Sequence, residues 1–90
     1  MPRIARTPQA KLDAAEIWCY IAEDNVAAAD KLIDQIEERL KMLAQFPESG
    51  ETVEYIRPNV RRSTIRNYVI YFTPNEDGIT LVRILHGARG

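Results

Sequence analysis

Two stretches in the second half of the chain decide the fold: RRSTIRNYVIYFTP, residues 61–74, and GITLVRILHG, residues 78–87. Both are rich in β-branched and aromatic residues, which fit a pleated, half-buried surface and so predict strands. Asn67 marks a tight turn that divides the first stretch in two, and PNEDG at 74–78 joins the second strand to the third. Along 79–86 strict alternation puts Ile79, Leu81, Arg83 and Leu85 on one face and Thr80, Val82, Ile84 and His86 on the other. Apolar residues on both faces predict a sheet covered by other elements on one side and partly apolar on the other, where a partner would bind.

The covering layer lies upstream. Thr7 and Pro8 are an N-cap and a first helical residue. After them Ala14, Ile17, Trp18 and Ile21 recur at the spacing of one buried helical face, with Lys11, Asp13, Glu16 and Glu23 mostly off that stripe. Asp24 and Asn25 break the pattern, and either can cap the next helix. That second helix is predicted from Val26 to Gln45, with Ala29, Leu32, Ile33, Ile36, Leu40 and Leu43 inward and Asp30, Asp34, Glu38 and Lys41 outward. So short a link makes the two helices an antiparallel hairpin. Phe46 closes it, and Pro47 opens a long surface connection, PESGETVEYIRPNV. Trp18 and Phe46 are the expected core anchors. RIAR at 3–6 reads as a short strand with Ile4 inward. The expected architecture is β-α-α-β-β-β, an α+β two-layer domain over residues 1–90 with the helical hairpin on a mainly antiparallel sheet.

A chain of 90 residues builds only a modest core, and its 46 % hydrophobic and 28 % charged shares are those of a globular protein. No apolar run approaches the about 18 residues that cross a bilayer. The N-terminus has arginines but no apolar segment after them, so no secretory signal is expected and cytoplasm is the expected location. Cys19 is the single cysteine, which excludes an internal disulfide and a cysteine-built metal site within one chain; an inert, half-buried thiol is expected. Net charge is −1, but it is unevenly spread. Residues 1–54 hold six basic and eleven acidic side chains, and residues 55–90 hold six arginines against Glu76 and Asp77. Arginine suits forked contacts with carboxylate or phosphate, so the second half points to an acidic peptide, to RNA, or to pairing with the acidic first half.

There is no glycine-rich phosphate loop, and one histidine with one cysteine makes no usual zinc site, so neither metal nor cofactor is expected. Metal-free RNA cleavage would need a proton carrier and cations around the phosphate. His86 could be the carrier, since imidazole titrates near neutrality, with Arg61, Arg62, Arg66 and Arg83 holding phosphate and Tyr68 or Tyr71 stacking on a base. A second acid or base has no spacing argument behind it; Glu54 and Tyr55 lie in the long connection. A backbone-bonded strand-end histidine and packing roles for Tyr68, Tyr71 and Phe72 are the plainer readings.

The order of elements, together with AKLDAAEIWCYIAEDN, LAQFPESG, VRRSTIRNYVIYF and above all GITLVRILHGARG, resembles the RelE/ParE superfamily of type II toxin–antitoxin toxins, most closely its ParE branch. The resemblance spans nearly the whole chain. It implies a toxin neutralised by a cognate antitoxin, ParD-like or similar, whose C-terminal segment folds on binding, in a toxin–antitoxin hetero-oligomer away from any membrane. ParE-like members poison DNA gyrase by trapping its DNA-cleavage complex; RelE-like members cut mRNA on the ribosome. The low net charge and three lysines favour the gyrase reading over a phosphate-dense target, and no tyrosine follows Tyr71 to complete the RelE pattern. If the chain were instead an RNase, Arg66, Arg83 and His86 would be its catalytic set; a third reading is a non-toxic, antitoxin-binding remnant. For antitoxin contact the expected residues are Arg61, Arg62, Arg66, Tyr71, Arg83 and His86. Family members often continue beyond the position of Gly90, so antitoxin binding is expected intact and gyrase poisoning weakened.

Overall fold

The computed structural model describes residues 2–53, 55 and 57–87; Glu54 and Arg89 of the stretches quoted above lie outside them. In chain order the elements are β1 (Arg3–Arg6), α1 (Pro8–Ala22), α2 (Val26–Gln45), a 3-10 turn (Pro47–Ser49), β2 (Glu51–Thr52), β3 (Arg61–Ile65), β4 (Tyr68–Asn75) and β5 (Gly78–His86). The sheet runs β1-β5-β4-β3-β2, antiparallel throughout except for the parallel β1–β5 pair. Two helices on one face of a five-stranded mixed sheet make the expected α+β two-layer fold, with one strand added.

That strand is β2, which pairs Glu51 with Arg62 and Thr52 with Arg61 inside the connection predicted to be irregular. Two residues carry no periodicity, which is why the pattern hid it. The connection is also less superficial than expected, since Gly50, Val53 and Val60 are buried. At Gly50 a Cβ would strike the Phe72 ring, so only glycine lets the chain cross the core's largest fully buried side chain.

Both helix starts follow their capping residues. Thr7 Oγ1 accepts from the Ala10 N–H at 3.0 Å, and Asn25 Oδ1 accepts from the Ala28 N–H at 3.0 Å. Leu32, Ile36, Leu40 and Leu43 of α2 meet Ile70, Phe72, Ile79, Leu81 and Ile84 of β4 and β5, the stripe the spacing predicts. From α1, Ala10 joins this cluster fully while Ala14, Ile17 and Ile21 pack on it half-buried.

Four expectations need correction. Phe46 is 54 % exposed and anchors nothing, because α2 ends one residue before it. Trp18 is half-buried and donates its indole N–H to Asp30 Oδ1 at 2.8 Å, tying α1 to α2 at the rim. Cys19 is exposed. The alternation along β5 breaks at a bulge: Tyr71 pairs with Arg83 but Phe72 pairs with Leu81, so Val82 is an extra residue. Parity therefore reverses there, and Ile84 joins Ile79 and Leu81 in the buried set while Leu85 does not. Among the described residues no helix is long and apolar enough to cross a membrane.

Candidate functional site

β1 stops at Arg6, opposite Leu81, so the last residues of β5 lack a neighbouring strand on that side. Helix α1 takes its place. The Thr7 N–H donates to the Leu81 carbonyl at 3.0 Å, and the Thr7 hydroxyl donates to the Val82 carbonyl at 2.8 Å. Six residues further on, Asp13 Oδ2 accepts the Ile84 N–H at 3.0 Å. The same carboxylate receives a forked contact from Arg83, Nε to Oδ2 at 2.8 Å and Nη2 to Oδ1 at 3.1 Å, and Gln9 Nε2 donates to Oδ1 at 3.2 Å.

Asp13 was expected on the solvent side of α1, yet it is the one buried charged residue among those described, at 5 % exposure. Burial pushes its pKa up, but the hydrogen bonds from Arg83, the Ile84 N–H and Gln9 together outweigh that and hold it below the usual carboxylate value. The Arg83 guanidinium is held above its usual value, chiefly by the bond to Asp13. The signal that could have found Asp13 was its place beside Ala10, Ala14 and Ile17 on the inward stripe, an acid in an apolar row opposite an arginine-rich sheet.

The sheet face away from the helices carries the second feature. Ile70 and Phe72 of β4 are buried, so alternation turns Val69 and Tyr71 to the open side. Across the strands Glu51, Arg62, Tyr71 and Arg83 stand in register, and the next such row is Thr64, Val69 and Leu85. Arg62 forks onto Glu51, Nη2 to Oε1 at 3.0 Å and Nε to Oε2 at 3.3 Å. That bond lowers the Glu51 pKa and raises that of Arg62. Both pairs join a second-half arginine to the acidic first half, as one reading of the charge distribution expected.

Of the six residues expected to meet a partner, the fold therefore gathers Arg62, Tyr71 and Arg83 in one row. His86 lies three residues further along β5, its ring edge-on to Tyr68 with centroids 5.3 Å apart. The other two make hydrogen bonds within the chain. Arg61 Nη1 donates to the Gly50 carbonyl at 2.8 Å. Arg66 occupies the β3–β4 turn at a φ of 53° and donates Nε to Gln35 Oε1 at 2.7 Å. A half-open cavity of about 560 Å³ lies between α1 and the end of β5, lined in part by Asp13, Glu16, Tyr20, Tyr68, Arg83 and His86. Among the described residues no three His, Cys, Asp or Glu side chains are placed to hold a metal ion.

The fold that carries this site, a helical hairpin on a five-stranded sheet, has known counterparts. A solved structure described as the chromosomal ParDE TA system from P. aeruginosa superimposes with a TM-score of 0.77 over 96 % of each chain, at 25 % identity. Toxin ParE3 of Caulobacter vibrioides is 26 % identical over 88 residues, 97 % of this chain and 88 % of that protein. The family model for the ParE toxin of the type II toxin–antitoxin system parDE matches residues 4–90. With nearly every residue of the hairpin and sheet inside that match, the chain belongs to the ParE toxin family of type II toxin–antitoxin systems.

Proposed function

We propose that this ParE-type toxin is held inactive by a cognate antitoxin, ParD-like or similar, and that once released it binds DNA gyrase in the cytoplasm and traps cleaved DNA without bond chemistry of its own. The observation that carries the protein-binding reading is the internal neutralisation of the arginine row. Arg83 is matched by Asp13 and Arg62 by Glu51, on a chain of net charge −1. A surface so balanced is poorly suited to the dense phosphate of ribosomal RNA, where each free cation adds to affinity by releasing counterions. It suits a polypeptide, which can trade the existing ion pairs for its own while laying apolar residues on Val69, Tyr71 and Leu85. Arg62, Tyr71 and Arg83 form the centre of the antitoxin site on the open face, and His86, which alternation turns to the helix side with Tyr68, borders it at the end of β5; Arg61 and Arg66 shape the neighbouring strands.

The ribonuclease reading would need Arg66, Arg83 and His86 to converge on one phosphate. Arg66 is engaged with Gln35 on α2 and Arg83 with Asp13 on α1, which disfavours it. The discriminating experiment induces the chain without antitoxin and assays supercoiling by purified gyrase and mRNA cleavage on ribosomes in parallel. Blocked supercoiling with trapped cleaved DNA and intact mRNA is the expected result. Cleaved mRNA that is lost on His86→Ala would replace this reading with the nuclease, and undisturbed growth with antitoxin still bound would replace it with the non-toxic remnant.

A further inference from the structure

The arginine-rich end of the sequence suggests a surface that attracts anions, but the cavity between α1 and the end of β5 has the opposite balance. Asp13 and Glu16 bring two carboxylates to it, and Arg83 brings one guanidinium. Two of the Arg83 nitrogens are already committed to Asp13, and Glu16 also acts on that guanidinium. An anion entering here would face two carboxylates across from one neutralised cation. A cation would meet the excess negative charge of Glu16 at the rim.

The walls favour a cation as well. Tyr20, Tyr68 and His86 present three rings, and the edge-to-face contact between Tyr68 and His86 fixes two of them as a corner. Tyrosine faces attract guanidinium and ammonium groups through the ring quadrupole. Tyr20 is 75 % exposed at the mouth, so a charged head can enter while keeping part of its hydration. The cavity is also continuous with the open sheet face, because Arg83 and Leu85 belong to both.

We infer that this cavity takes a single arginine or lysine side chain from the polypeptide that docks on the open sheet face. The inference rests on the antitoxin reading above for the identity of that polypeptide, but not for the cavity's preference of charge. It gives the partner segment a specific pattern: apolar and acidic residues along the Arg62–Tyr71–Arg83 row, then a cation where the segment passes the end of β5.

The first test titrates the full chain with N-acetyl-arginine methylamide and follows the ring signals of Tyr68 and His86 by NMR. Saturable shifts are expected, with affinity reduced about tenfold in Glu16→Gln, the scale of one contact to a charged group. Glu16 is exposed, so that variant keeps its fold. N-acetyl-glutamate methylamide shifting the same signals as strongly, or an arginine titration unchanged in Glu16→Gln, would overturn the inference. The second test copurifies the chain with the product of the neighbouring gene and replaces each basic residue of that partner in turn. One partner cation should couple to Glu16→Gln in a double-mutant cycle; a stable complex in which every such pair is additive overturns the inference. Failure to form any complex would count against the antitoxin reading, and the small-probe titration would still decide the cavity.

Discussion

Asp13 meets three groups with one carboxylate: the Arg83 guanidinium, the Ile84 N–H and the Gln9 amide. Removing it frees a half-exposed arginine, which water can solvate, but orphans a strand N–H. Asp13→Ala should therefore cost about 1–3 kcal/mol, the usual penalty for an unsatisfied buried donor. Thermal melting should show this as a fall of roughly 4–8 °C per kcal/mol for a domain of this size. The residue also predicts a pH dependence. Because folding lowers the Asp13 pKa, its contribution is fully present above the unfolded carboxylate value of about 3.9 and is lost as pH falls through the lower folded value. Urea midpoints for the wild type should fall on acidification across that window, and Asp13→Asn should remove part of the fall. From sequence, the position was readable as helical and its neighbours as inward-facing. The partner that makes an acid tolerable there lies 70 residues away, and no local pattern carries that information.

At the level of elements, both helices, their capping residues and the three long strands were legible, because each runs far enough to express a period or begins at a residue with a definite backbone role. Strand β2 and the bulge at Val82 were not. The first has two residues, and the second is a property of the β4–β5 pairing rather than of either strand alone. The β1–β5 contact adds a prediction of its own. Gly78 has a φ of 154°, and a Cβ there would run into the Arg3 carbonyl oxygen across the parallel pair. Gly78→Ala should force β1 away from β5, visible as faster amide exchange along Arg3–Arg6 and a lower melting temperature. Thr7 also fastens this region, since one hydroxyl caps α1 and donates to the Val82 carbonyl. Thr7→Ala should cost about 1–2 kcal/mol, the upper range for a lost cap, while Thr7→Ser, which keeps the hydroxyl, should recover most of it in the same unfolding assay.

Across the whole molecule, the proposed antitoxin site places recognition on the sheet face opposite the one that carries stability. Between the helices and the sheet lie Leu43 of α2 and Ile70, Phe72 and Leu81 of the strands, all at 0–1 % exposure, whereas the open face carries the Arg62–Tyr71–Arg83 row over half-exposed positions. The candidate row could be read only in part beforehand, because its members come from three strands and their alignment depends on register. This division predicts two separable classes of variant. Leu43→Ala should cost about 2–5 kcal/mol, a large fraction of the total for so small a chain, and lower the melting temperature sharply. It should leave the intrinsic affinity of the folded fraction for an antitoxin unchanged, so added antitoxin raises its melting temperature by mass action much as it does for the wild type. Tyr71→Glu should behave inversely. On a half-exposed strand position between two arginines a carboxylate is readily accommodated, so the free chain should melt close to the wild type. An antitoxin that lays apolar or acidic side chains on that row would then lose its contact, and the melting shift on adding it should shrink or vanish. If Tyr71→Glu kept the full antitoxin-induced shift, docking would have to occur on another surface, and the open face would lose its place as the recognition face of the fold.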